Sequence, residues 1–148
     1  MLNLQEVDLD ELVRELAERF KVGFRGGDDS SPQRLVRCDP QLVEQAVSNL
    51  IGNAVRHSGS DEISVTVERG AKTARITVED HGIGIPPEHT AQVFERFHRV
   101  DPARAAETGG AGLGLAIARR IARLHGGDLV LFPVKPHGCR FVFSLTNR

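Results

Sequence analysis

Asp80-His81-Gly82-Ile83-Gly84-Ile85 and Gly109-Gly110-Ala111-Gly112-Leu113-Gly114-Leu115 are the two stretches whose reading decides the fold. The first follows a strand-like run, Ala74-Arg75-Ile76-Thr77-Val78-Glu79, and turns the chain where backbone must come close to a flat partner. The second opens a helix, so its bare amides and the positive end of the helix dipole face an anion, for which phosphate is the natural candidate. Either glycine cluster alone would be read as a turn. In this order, bracketing a polar insert that carries Arg96, Arg99 and Arg104, they predict a segment over 81–113 that folds over a nucleotide.

Spacing excludes two commoner phosphate-binding patterns. No G-x-x-x-x-G-K-[ST] occurs, and counting from Gly110 or Gly112 the third glycine of G-x-G-x-x-G falls on Leu115 or Ile117.

Working outward, Asp39-Pro40 is a helix start, an N-cap acid followed by proline at the first helical position, and the helix is expected to run to about His57. At 100° per residue, Val43, Ala46, Val47, Leu50, Ile51 and Ala54 share an apolar arc, with Asn49, Asn53 and Arg56 in a narrow strip beside it. Asparagine is a poor helix former, so a pair at i, i+4 beside core leucines asks for a reason. The Asn53 side-chain oxygen suits Mg²⁺, a hard cation otherwise held by water and phosphate, and Arg56 suits a phosphate. Ile63 to Arg69 and Lys72 to Glu79 alternate about Gly70-Ala71 as a β-hairpin that delivers Asp80 to the pocket. A carboxylate there accepts from the exocyclic amine of adenine, a charge-assisted bond of about 1.5–3 kcal/mol that selects against guanine.

The remainder is scaffold. Met1 to Val7 reads as a linker end or short edge strand; Asp8 with Glu11 caps a helix whose apolar face is Leu9, Leu12, Val13, Leu16, Ala17 and Phe20. Lys21 to Phe24 and Leu35 to Cys38 are expected strands around a loop over 25–32. Gly114 to His125 is a helix stopped by Gly126-Gly127, and Asp128 to Val134 and Cys139 to Thr146 are closing strands. Phe94 and Phe97 read as the apolar side of a short helix. Arg99, and after it Arg104, are the arginines placed to reach a terminal phosphate.

With 148 residues the chain is one domain that buries roughly 70% of its unfolded surface. A net charge of -1 leaves no polybasic footprint for nucleic acid. Cys38 and Cys139, without C-x-x-C or zinc spacing, are expected as reduced, buried thiols suited to the cytoplasm. No apolar run of membrane-spanning length occurs, so no membrane contact is expected. The histidines are scattered, without metal-ligand spacing.

With these residues in view the chain resembles, over nearly its whole length, the catalytic ATP-binding domain of sensor histidine kinases, in the superfamily shared with DNA gyrase, the large heat-shock chaperones and mismatch-repair ATPases. Asn49-Leu50-Ile51-Gly52-Asn53-Ala54-Val55-Arg56-His57 looks like the N box, Asp80 to Gly84 the first glycine box, Phe94-Glu95-Arg96-Phe97 the F box, and Gly110 to Leu115 the second glycine box. The resemblance implies a two-layer α/β sandwich, a mixed sheet with about three helices on one face. It implies ATP held by Asn49, Asn53, Arg56, His57, Asp80, Gly82, Gly84, Ile85, Phe97, Gly110, Ala111, Gly112, Leu113, Gly114 and Leu115, with Mg²⁺ on Asn53 and Arg99 near the γ-phosphate.

The chain departs from the family at Ala111, where Ser or Thr is usual, and at Cys139, where Thr is usual; the first removes a hydroxyl from the phosphate-facing turn. Hydrolytic members carry Glu four residues before the metal-binding Asn. Asn49 holds that catalytic position here, and its amide cannot take a proton, which disfavours hydrolysis. No histidine lies in a phosphoacceptor box, so the acceptor is expected on a separate dimerisation hairpin, with a response regulator downstream. The helical opening at Asp8 reads as that of an excised domain, a monomer by itself whose parent spans a membrane or not. The alternatives are a regulatory module that senses ATP without transferring phosphate, favoured by Ala111, and a serine-phosphorylating anti-sigma-factor kinase.

Overall fold

The β-hairpin at 63–80 shows how the sheet is built. In the computed structural model, which describes residues 2–26, 35–57, 62–70, 72–81, 111–134 and 138–146 (His57 and residues 111–113 by backbone alone), β4 is Ile63–Arg69 and β5 is Thr73–Asp80. Ile63, Val65 and Val67 point to one face with Ala74, Ile76, Val78 and Asp80, all buried, while Glu68, Arg75 and Thr73 alternate to the other. A period of two with one apolar face requires a cover on that side only, and three helices supply it.

The first of them, α1, spans Leu9–Phe20. Asp8 caps it by accepting from the Glu11 amide at 3.2 Å, and Asp10 and Glu11 complement the positive end of its dipole. It ends at Lys21, which adopts a left-handed φ of 59° while the Val22 amide donates back to the Ala17 carbonyl at 3.0 Å. The expected strand at 21–24 therefore starts later, as β2, Gly23–Arg25, because Lys21 belongs to the helix cap. Helix α2 spans Pro40–His57 as its N-cap acid and proline predict. Asp39 accepts from the Leu42 amide at 3.3 Å and from the Asn3 amide at 3.0 Å. Helix α3 spans Ala111–Leu124, so it begins inside the second glycine cluster, three residues before the expected Gly114.

Strands β6, Leu129–Pro133, and β7, Cys139–Thr146, complete a five-stranded sheet in the order β2-β4-β5-β7-β6. The β2–β4 pair is parallel and the other three are antiparallel, so the sheet is mixed. Gln5–Asp8, β1, and Leu35–Cys38, β3, form a separate antiparallel two-stranded ribbon, which settles the N-terminal segment as a strand. Phe141, Phe143 and Leu145 of β7 meet Leu50, Ile51, Ala118 and Ile121 in one core, and the described helices pack on that face. The outcome is the expected α/β sandwich.

Candidate functional site

Each of the two ends of the helix layer has its own chemistry. At one end, α3 stops and is tied down. Gly126, at φ 81°, and Gly127 terminate it, the Gly127 amide donating to the Ala122 carbonyl at 2.9 Å. A Cβ on Gly127 would lie 1.9 Å from the Ser144 carbonyl oxygen, so only glycine lets the turn sit on β7. His125 is buried; its Nε2 accepts from the Asp39 amide at 3.0 Å and its Nδ1 donates to the Ile121 carbonyl at 2.8 Å. That pairing makes it a structural histidine. Asp128 binds Arg119 at 3.0 Å and Arg123 at 3.3 Å; burial alone would raise its carboxyl, but these arginines and the Leu129 amide hold it below the usual range.

The other end gathers the expected site residues. Asp80 is the last residue of β5, 6% exposed, on the helix-covered face, flanked across the sheet by Ile63 and Cys139. Its backbone is clamped from β7: Gly138 has φ 126°, and a Cβ there would lie 2.2 Å from the Asp80 carbonyl oxygen and 2.8 Å from the His81 Cα. Gly138 falls between the two expected closing strands, and a glycine directly before a strand is the one signal the sequence offers for it. The neighbouring Glu79 faces the open side of the sheet, where it binds Arg140 at 2.6 Å and approaches His81 at 3.6 Å.

Helix α2 lies across β5 and carries the polar strip to this end. Asn49 and Asn53 are half-buried and Arg56 is exposed, its guanidinium lying back over Gly52. The asparagines thus line an edge of the core as their spacing predicts. The Asn49 amide donates to the Gly114 carbonyl at 3.3 Å, bringing the strip against the first turn of α3. Asn49, Asn53, Asp80, Gly114 and the buried Leu115 are therefore placed by three adjoining elements around one end of the fold. Of the other expected site residues, Ala111, Gly112 and Leu113 are on the backbone of α3 and His57 ends α2. Gly82, Gly84, Ile85, Phe97, Arg99, Arg104 and Gly110 lie outside the described residues, as does most of the expected 81–113 segment.

Both cysteines are buried thiols, as expected. Burial, with the Asp39 charge beside it, pushes the Cys38 thiol up to about 11, so it stays protonated at neutral pH. Among the described residues no group of three His, Cys, Asp or Glu could hold a metal, and no helix is long and apolar enough to cross a membrane.

The comparisons with known proteins agree with this geometry. Residues 38–148 match the family described as histidine kinase-, DNA gyrase B-, and HSP90-like ATPase. The sensor-like histidine kinase SenX3 of Mycobacterium tuberculosis is 37% identical over 149 residues, which cover 97% of this chain and 36% of that protein. The catalytic domain of histidine kinase ThkA superimposes with a TM-score of 0.78 at 27% identity, covering 98% of this chain and 96% of that one. Full-length ShkA in complex with AMPPNP gives 0.79 at 27% identity, covering 99% of this chain and 32% of that one. The chain belongs to the histidine kinase-, gyrase B- and HSP90-like ATPase family. Within it, this is the ATP-binding catalytic domain of the two-component sensor histidine kinase type. It spans 36–39% of the length of the SenX3 relatives.

Proposed function

We propose that the domain binds Mg·ATP between α2, the end of β5 and the first turn of α3, and passes the γ-phosphate to a histidine on a separate helical hairpin of the parent kinase, from which a response regulator is charged. In that transfer an imidazole nitrogen forms a bond to the γ-phosphorus while the bond to the bridging oxygen breaks and ADP leaves. The observation that carries the reading is the convergence at one end of the fold of a buried carboxylate, Asp80, a half-buried asparagine pair and a helix N-terminus opened by glycines.

Each group has one task. Asp80 accepts from the adenine amine, and its depth in the sheet end excludes water from that bond. The amides that start α3 receive phosphate oxygens. Arg56, exposed at the edge of the strip, is the cation assigned to the same phosphates. The Asn53 carboxamide oxygen is a hard, neutral ligand that would suit Mg²⁺, a cation held mainly by phosphate and water. When bound, that ion would neutralise charge on the β- and γ-phosphates. Arg99, with Arg104 second, supplies positive charge to the terminal phosphate during transfer. No side chain in the strip can take a proton from water, since Asn49 and Asn53 are amides, so phosphate is kept for the acceptor histidine.

The test is calorimetric titration of the domain with ATP in the presence of Mg²⁺. Asn53→Ala is expected to abolish Mg²⁺-dependent binding and leave the unfolding transition unchanged. Unchanged affinity would remove Asn53 from the site.

A further inference from the structure

Helices α2 and α3 run antiparallel across the sheet, and the seam between them is apolar: Val43, Val47, Leu50 and Ile51 from α2 share the core with Leu115, Ala118, Ile121 and Ala122 from α3. Apolar contacts are non-directional, so such a seam by itself leaves the helices some freedom to slide along one another. Two polar contacts bracket it. At one end the buried His125 ring accepts from the amide of Asp39, the N-cap of α2. At the other the Asn49 amide donates to the Gly114 carbonyl at 3.3 Å. At a rise of about 1.5 Å per residue, Asp39 to Asn49 spans about 15 Å and Gly114 to His125 about 16.5 Å. The two spans agree to within about one residue's rise, so both contacts are made together, one near each end of the seam.

The chemistry at the Asn49 end is directional. A carbonyl oxygen only accepts, so position 49 must present a donor, and the carboxamide supplies one where an ionised acid would set oxygen against oxygen. Asn49 lies directly over this turn: the nearest neighbours of a Cβ built on Gly114 would be Asn49 Cβ, Cγ and Nδ2, at 3.7–3.9 Å.

We propose that Asn49 is a positioning residue: its amide fixes the first turn of α3 against α2 and so aims the phosphate-facing amides before nucleotide arrives. The inference rests on the ATP-site reading above. It assigns Asn49 an effect through α3 that is distinct from any direct touch on the ligand.

The experiment compares the unaltered chain with Asn49→Asp and Asn49→Ala in two measurements. The first is hydrogen-exchange protection, without nucleotide, of the amides of residues 115–118, which close the first turn of α3 by donating to its carbonyls; the second is calorimetric affinity for ATP and for adenosine. Both variants are expected to lose at least tenfold protection in that turn while the second half of α3, held by His125, keeps its own. ATP affinity is expected to fall at least tenfold and adenosine affinity less than threefold, because only the phosphates use the turn. Lowering the pH from 7.5 to 5 is expected to restore protection partly in Asn49→Asp, whose neutral carboxyl can donate, and not in Asn49→Ala. Unchanged protection with lost ATP affinity would overturn the proposal in favour of direct contact. Equal losses for ATP, adenosine and protection along all of α3 would overturn it in favour of a general packing role. Failure of the unaltered chain to bind ATP would overturn the site reading itself, and the proposal with it.

Discussion

Glycine at position 114 sits in the first turns of α3 in helical conformation, and the structure gives no steric reason for it. A Cβ there would have as nearest neighbours Asn49 Cβ and Cγ at 3.7 Å and Nδ2 at 3.9 Å, ordinary contacts that require nothing to move. Replacing helical glycine with alanine is worth roughly 0.5–1 kcal/mol. For a domain of this size that is about 1–4 °C in the midpoint of thermal unfolding. Gly114→Ala is therefore expected to stabilise the nucleotide-free domain. The same methyl fills space beside Asn49, at the mouth between the polar strip of α2 and the start of α3, and is expected to weaken ATP binding at least tenfold, about 1.4 kcal/mol. The assay is thermal unfolding without ligand alongside calorimetric titration with Mg·ATP. Gly127→Ala is the control of opposite sign, since its Cβ would fall 1.9 Å from the Ser144 carbonyl oxygen. A lowered midpoint for Gly114→Ala would refute the packing argument, and unchanged ATP affinity would refute the placement of the nucleotide at this seam.

Asp80→Asn is expected to weaken ATP by tenfold or more, the loss of one charge-assisted bond of about 1.5–3 kcal/mol, and to reduce discrimination against GTP; equal losses of stability and affinity in denaturation and titration would make Asp80 a structural group. Gly138→Ala combines a positive φ with a Cβ 2.2 Å from the Asp80 carbonyl, so urea unfolding should show a loss of several kcal/mol and ATP binding should fall with it. The Asn3 amide, with those of Leu42 and Gln41 and the His125 ring nearby, holds the Asp39 carboxyl below its ordinary 3.8. A folded-state value below the unfolded one adds stability that is complete above 3.8 and lost as pH falls through the lower folded value. Asp39→Ala is expected to cost about 1 kcal/mol at pH 7 and to unfold with a shallower acid dependence than the unaltered chain below pH 4, both read by urea titration.

What was legible in the sequence was what neighbours in the chain decide. The Asp39-Pro40 start, the Asp8 cap and the alternation of the 63–80 hairpin each depend on residues within a few positions, and each holds in the structure. The asparagine strip was legible because a helical period of 3.6 carries it to a known side of a known helix. Lys21 was misplaced because a left-handed cap at a non-glycine residue has no compositional sign. The parallel β2–β4 pairing and the β1–β3 ribbon are long-range pairings that no local pattern specifies. Gly138 and the donor role of Asn49 were hidden for the same reason: their meaning lies in Asp80 and Gly114, distant in sequence and adjacent only in the fold.

The central claim is tested most directly by following γ-labelled ATP with Mg²⁺, using the domain alone and the domain with a separately prepared histidine-bearing hairpin, and reading free phosphate and protein-bound label together. The account predicts label on the hairpin and little phosphate released by the domain alone. Steady phosphate release by the domain alone would contradict it, because a strip of amides would then be activating water; ATP binding with no label on any hairpin would instead mark a module that senses the nucleotide without spending it.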